Sequence, residues 1–95
     1  MTRKIIFFHG ADCPHCARMR PIVAKLEKEL KIKMKKLEVW YNEENADYMR
    51  KCGDIIMKAS GEGDLGVPAF VDLENNGALV GEQTEEDLKK WLMEK

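Results

Sequence analysis

Two cysteines separated by two residues are the strongest chemical signal in this sequence. The segment Cys13-Pro14-His15-Cys16 follows a short apolar stretch and precedes an amphipathic one, so it lies where a strand gives way to a helix. Two thiols at this spacing can form a redox-active dithiol, supply half of a metal site, or pack in the interior. A zinc site of this type needs a second pair of ligands, and outside the motif the chain has one further cysteine and one further histidine. We therefore favour the redox dithiol and keep the metal site and the packed pair as alternatives.

A helix that begins at this motif would make Cys13 the nucleophile. The free N–H groups and the partial positive charge of a helix N-terminus stabilise a thiolate there. A protonated His15 would add a favourable charge, whereas the carboxylate of Asp12 would oppose it. Pro14 suits the first helical turn, where its missing N–H costs nothing. Cys16, one turn further along, would resolve the mixed disulfide that Cys13 forms with a substrate.

Strands and helices alternate along the rest of the chain. The hydrophobic periodicity predicts strands at residues 4–8, 36–41, 69–73 and 78–80, and helices that start at Pro14, near residue 46 and near residue 85. An Asn-Gly turn signal joins the last two strands, and residues 60–66 form a loop. The two crossover connections then place the first three strands in one sheet with helices on both faces. We expect Trp40 and Trp91 in the core.

Composition excludes several classes of function. The chain has 95 residues, which predicts one domain over residues 1–95. Sixteen basic and seventeen acidic side chains leave a net charge of -1, so binding to nucleic acid is not expected. The longest apolar run, residues 5–8, is too short for a membrane span or a secretory leader, which predicts a cytoplasmic protein if Met1 is the native start. Three cysteines also argue against a disulfide-stapled secreted domain, and we expect Cys52 to be a buried, inert thiol.

The motifs together resemble the thioredoxin superfamily over nearly the whole chain. The resemblance is carried by KIIFFHGADCPHCARMRP and its helix, by GVPAFVDLENNGALVG and by an amphipathic C-terminal helix. It implies an α/β, thioredoxin-like fold with a minimal βαβαββα core and a four-stranded mixed sheet, closer in length to glutaredoxins than to full thioredoxins. It also implies that Pro68 is a cis residue opposite the dithiol and bars metal from the thiols. The backbone of Val67 would pair with an extended substrate segment.

Several positions differ from the family patterns. Asp12 stands where thioredoxins have an aromatic residue, and Phe7 stands where they have a buried acid. Glutaredoxins have Tyr and Thr where this chain has His15 and Val67, and residues 81–82 only echo their glutathione-binding segment. The Cys-Pro-His-Cys spelling itself resembles periplasmic disulfide-forming oxidases, which carry a helical insertion that this chain lacks. The direction of electron transfer is therefore left open.

These observations predict a thiol–disulfide oxidoreductase that exchanges a Cys13–Cys16 dithiol with protein or small-molecule disulfides through a mixed disulfide. Its expected partners are disulfide-containing proteins and a reductase or glutathione for recycling. We expect a monomer that needs no metal or organic cofactor, with glutathione left open as a co-substrate. The alternatives are a redox-sensing or binding module of the same fold with little turnover, and a metal-binding module.

Overall fold

The computed structural model describes residues 5–60, 67–74 and 77–93, and these residues form four strands and four helices. The strands are β1 (Ile5–His9), β2 (Lys35–Glu38), β3 (Ala69–Asp72) and β4 (Gly77–Val80). The helices are α1 (Pro14–Leu30), α2 (Glu43–Lys51), α3 (Gly53–Ser60) and α4 (Glu85–Met93). Within these residues, no helix is long and apolar enough to cross a membrane.

The four strands form one mixed sheet in the order β2-β1-β3-β4. Strand β1 is parallel to β2 and antiparallel to β3, and β3 is antiparallel to β4. The ends of β1, β2 and β4 and the start of β3 therefore meet at one edge of the sheet. This edge, called the cysteine edge below, carries residues 10–13, 39–41, 67–68 and 81–82. The predicted α/β architecture with a four-stranded mixed sheet is confirmed.

Alternation along β1 builds a core on each side of the sheet. Ile5 and Phe7 point to one face and Ile6 and Phe8 to the other, because successive strand residues face opposite ways. The first core includes residues of α1 and α4, among them Met19, Val23, Leu26, Leu88 and Leu92. The second includes residues of α2 and α3 and the intervening position, among them Met49, Cys52 and Ile56. The helices thus cover both faces, as the sequence predicts.

The predicted second helix, residues 46–59, is in fact two helices. Helix α2 begins earlier because the side-chain oxygen of Asn42 accepts the N–H of Asn45 at 3.0 Å and caps it. It ends at Lys51, and its C-cap residue Cys52 has φ −89° and ψ 6°, outside the helical region. Gly53, a weak helix former, then begins α3. The helical spacing of apolar residues continues from α2 into α3, so the sequence pattern does not show that the segment is divided into two helices.

The prediction that Trp40 lies in the core is wrong. Strand β2 ends at Glu38, not at residue 41, and the Trp40 side chain is 50% exposed. The carboxylate of Glu38 accepts the N–H groups of Trp40 and Tyr41 at 2.9 and 2.8 Å, so the chain turns away from the sheet there. Trp91, in contrast, packs against the core beside α1. The predicted Asn-Gly turn and most of the predicted 60–66 loop lie outside the described residues, as does residue 4.

Candidate dithiol site

Cys13 is the N-cap residue of α1. Its backbone is extended, with φ −81° and ψ 116°, and its sulfur accepts the N–H of Cys16 at 3.3 Å. Pro14 follows at the first helical position, as predicted. A sulfur in this position faces the positive end of the helix dipole, which favours negative charge on it. All three cysteines are free thiols, so the structure represents the dithiol state.

Cys16 lies one turn behind Cys13 and is fully buried. The backbone N–H of Gly10 donates to its sulfur at 3.4 Å. Burial and, after it, the hydrogen bond with Cys13 raise the pKa of Cys16 to about 11. Cys16 is therefore a protonated thiol at neutral pH as long as Cys13 is not bonded to a substrate.

The Val67-Pro68 segment lies beside the cysteines. The peptide bond between the two residues is cis, as the resemblance implies, and Pro68 is buried. The Cys13 thiol points at the carbonyl oxygen of Val67, with 4.0 Å between sulfur and oxygen. The carbonyl oxygen of Pro68 accepts the N–H of Gly81 at 2.8 Å, which joins the start of β3 to the end of β4. Cys13, Cys16, Val67 and Pro68 are thus brought together, as predicted.

His15 contacts the carboxylate of Glu82, which follows β4 at the cysteine edge. This contact was not predicted from the sequence. Glu82 Oε1 lies 2.7 Å from His15 Nδ1 and accepts from Arg18 Nε at 2.9 Å. Nδ1 either donates to Glu82 or accepts from Arg18, 2.9 Å away, depending on the tautomer. The hydrogen bonds from His15 and Arg18 lower the pKa of Glu82. Its carboxylate therefore stays ionised and would offset the positive charge of a protonated His15.

Glu38 is the main functional candidate that sequence reasoning missed. Its Oε2 accepts the N–H of Ala11 at 2.9 Å, in addition to the N–H groups of Trp40 and Tyr41. Burial by itself would raise the pKa of Glu38, but the three N–H donors outweigh it and the pKa is lowered. The ionised carboxylate thus ties the segment after β2 to the loop before Cys13. The parallel pairing of β1 with β2, which sets His9 opposite Glu38, brings the two segments together.

Two aromatic residues cover that loop. The Trp40 ring lies so close to Gly10 that a Cβ there would be 2.4 Å from two ring atoms. The Tyr41 hydroxyl donates to the carboxylate of Asp12, a bond that raises the pKa of the tyrosine. Trp40 and Tyr41, the aromatic pair, are nevertheless 50% and 73% exposed. They form an exposed aromatic surface beside the loop that leads to Cys13.

Arg20 supports the same loop from α1. Its guanidinium donates to the carbonyl oxygen of Gly10 at 3.0 Å, and that oxygen also accepts the N–H of Cys13 at 3.2 Å. The side chain lies 3.4 Å from His9 Nδ1. Burial and then Arg20 lower the pKa of His9, so this histidine is neutral at physiological pH. Both ends of the turn that leads to Cys13 are therefore fixed.

Cys52 is separate from the dithiol. It belongs to the core on the α2 and α3 side of the sheet, is 5% exposed, and burial raises the pKa of its thiol. Among residues 5–60, 67–74 and 77–93, no three His, Cys, Asp or Glu side chains lie close enough to bind a metal ion together.

Gly10→Ala is expected to lower the free energy of unfolding by about 1–3 kcal/mol, because the new methyl group overlaps the Trp40 ring near its attachment to Cβ. Gly77→Ala is the matched control, since a Cβ there meets nothing within 4 Å. Urea unfolding of the two variants and the wild type measures the difference. Equal stability of the two variants would contradict the close packing of Trp40 on Gly10.

Comparisons with known proteins show what this arrangement is similar to. No family model matches the chain, and no curated protein matches it. Mitochondrial thioredoxin 3 of Saccharomyces cerevisiae, in its oxidized form, is 22% identical, with a TM-score of 0.69 over 94% of this chain and 74% of that one. A glutaredoxin of Archaeoglobus fulgidus is 21% identical, with a TM-score of 0.62 over 97% of this chain and 88% of that one. A glutaredoxin of Methanosarcina mazei Go1 is 17% identical, with a TM-score of 0.61 over 97% and 80%. The chain has the thioredoxin-like fold.

Proposed function

We propose that this protein is a thiol–disulfide oxidoreductase in which Cys13 is the nucleophile and Cys16 the resolving thiol. One observation carries the proposal: Cys13 caps α1 beside the Val67 carbonyl, and Cys16 lies buried one turn behind it. This arrangement places one cysteine at the start of the helix and a second one turn behind it. The resolving thiol therefore belongs to the same chain, and no second protein has to supply it. The thioredoxin-like fold supports the same chemistry.

The first step forms a mixed disulfide. The thiolate of Cys13 attacks one sulfur of the substrate disulfide, a new sulfur–sulfur bond forms, and the substrate bond breaks. The other half of the substrate leaves as a thiolate and takes a proton from water. We propose that the backbone of Val67 pairs with an extended segment of the substrate and aligns its sulfur with Cys13. Pro68 would hold Val67 in place for this contact.

The second step uses Cys16. This thiol loses its proton to solvent and attacks the Cys13 sulfur, which releases the second half of the substrate as a thiol. In the balance, the substrate disulfide gains two electrons and two protons, and the protein dithiol becomes a disulfide. Apart from burial, the hydrogen bond and the negative charge of Cys13 raise the pKa of Cys16. Both causes vanish once Cys13 is bound to substrate, so the pKa of Cys16 falls when its thiolate is needed.

The surrounding residues adjust this dithiol. Pro14 begins the helix that points at Cys13, and a protonated His15 would add a positive charge that the Glu82 carboxylate offsets. The same two steps in reverse would oxidise a substrate dithiol. We propose disulfide-containing proteins as substrates, and a reductase or glutathione in the cytoplasm as the recycling partner. A reduction potential at or below the cytosolic glutathione poise would assign the reductase direction.

A single-turnover experiment tests the proposal. Reduced protein is mixed with excess insulin as a model protein disulfide, quenched in acid and alkylated, and oxidation of the Cys13–Cys16 pair is followed by mass spectrometry. We expect a second-order rate constant at least about 100-fold above that of reduced glutathione at the same pH, because the attacking sulfur lies at a helix N-terminus and the resolving thiol is adjacent. A rate equal to that of glutathione, with a dithiol that still oxidises reversibly, would favour the redox-sensing alternative.

A further inference from the structure

The aromatic pair next to the dithiol has no part in the two exchange steps. Trp40 lies on Gly10, and the carbonyl oxygen of Gly10 accepts the N–H of Cys13 in the same tight turn. Half of the Trp40 surface and most of the Tyr41 surface face solvent. Exposed tryptophan and tyrosine side chains contribute much of the energy of polypeptide recognition.

This aromatic surface is held in a fixed orientation. The Glu38 carboxylate accepts the backbone N–H groups of both Trp40 and Tyr41. The Tyr41 hydroxyl donates to Asp12, and the Trp40 ring packs against the backbone at Gly10. A surface ordered before binding loses little conformational entropy when a ligand covers it.

The other side of Cys13 offers little attraction for a charged ligand. The side chains of His15 and Arg18 lie there, and both contact the carboxylate of Glu82. Asp12 contributes a further carboxylate on the aromatic side. An anionic disulfide therefore gains little Coulomb energy from these side chains, whereas an uncharged apolar group can pack on the indole ring.

We propose that Trp40 selects, as substrates, disulfides in extended polypeptide segments whose cysteine has apolar neighbours. The inference rests on the proposed oxidoreductase function and names its substrate class. The order along the cysteine edge is the aromatic pair at β2, the turn with Cys13 at β1, and the Val67 backbone at β3. A segment that pairs with Val67 and presents its sulfur to Cys13 would extend its next side chains toward Trp40. Trp40 acts here as a specificity residue and takes no part in bond exchange.

The test compares two uncharged pentapeptides, each a disulfide-linked dimer, with leucine or serine on both sides of the cysteine. The rate at which the reduced protein reduces each dimer is divided by the rate with reduced glutathione, which removes intrinsic differences in reactivity. The leucine-to-serine ratio of these values measures selectivity. We expect Trp40→Ala and Trp40→Gln to lower the ratio about tenfold, equal to about 1.4 kcal/mol, and Trp40→Phe to retain most of it. Met93→Ala, which removes another exposed apolar side chain on α4, is the control and should leave the ratio unchanged.

The outcomes separate this inference from the proposed function. A loss of selectivity in Trp40→Ala and Trp40→Gln, but not in Met93→Ala, supports it. A wild type that reduces both peptides while no Trp40 variant changes the ratio overturns it and leaves the oxidoreductase proposal intact. A wild type no faster than glutathione on either peptide overturns both.

Discussion

Cys13→Ser is expected to slow reduction of a protein disulfide by on the order of 1,000-fold or more, because a serine hydroxyl at neutral pH does not attack sulfur. The fold should survive the change. Cys13 is the N-cap of α1, and serine is among the preferred N-cap residues because its oxygen accepts a backbone N–H. Circular dichroism and urea unfolding check the fold, and the single-turnover assay with insulin checks the rate.

The third cysteine provides the matched control for this experiment. Cys52→Ala removes a thiol that is as buried as Cys13 but lies in the core on the α2 and α3 side. It should reduce stability slightly and leave the rate constant of disulfide reduction within about twofold of the wild type, since the cavity lies in the core on the α2 and α3 side and not at the start of α1. A Cys13→Ser variant that retained more than a tenth of the wild-type rate would contradict the assignment of Cys13 as the nucleophile.

Cys16→Ser is expected to convert a transient intermediate into a stable product. Without a resolving thiol, the Cys13–substrate mixed disulfide should persist until an external thiol cleaves it. Serine is chosen because its oxygen can still accept the N–H of Gly10 that the Cys16 sulfur accepts in the native site. Intact mass spectrometry after mixing with a peptide disulfide should find most of the protein as the adduct, whereas the wild type should show only a small fraction.

The pH dependence of this intermediate gives a second check. Resolution requires the Cys16 thiolate, and burial, the largest cause of its raised pKa, persists in the mixed disulfide. A lower pH leaves less thiolate, so the wild-type adduct should last longer at pH 6 than at pH 8. The double variant Cys13→Ser with Cys16→Ser should form no adduct. An adduct on Cys16 in the Cys13→Ser protein, formed as fast as in Cys16→Ser, would contradict the assigned order of attack.

Local patterns in the sequence were sufficient for the fold class and for the cysteine pair. Apolar alternation in β1 and helical spacing in α1 depend on neighbouring residues, so they predict the elements directly. Once a helix begins after Cys13, the spacing of three residues places Cys16 one turn from it without any contact to distant parts of the chain. The proline at position 68, far away in sequence, entered only through resemblance to a family, and the structure places its cis peptide bond beside Cys13.

The immediate surroundings of the dithiol were decided by tertiary structure. Glu38 reaches Ala11 because β1 and β2 pair in a register that sets His9 opposite Glu38. Glu82 reaches His15 because β4 ends at the same edge of the sheet at which α1 begins. Trp40, expected in the core from its apolar character, instead packs on Gly10 with half of its surface exposed. Such contacts join segments far apart in sequence and depend on strand register and order, which local periodicity does not encode.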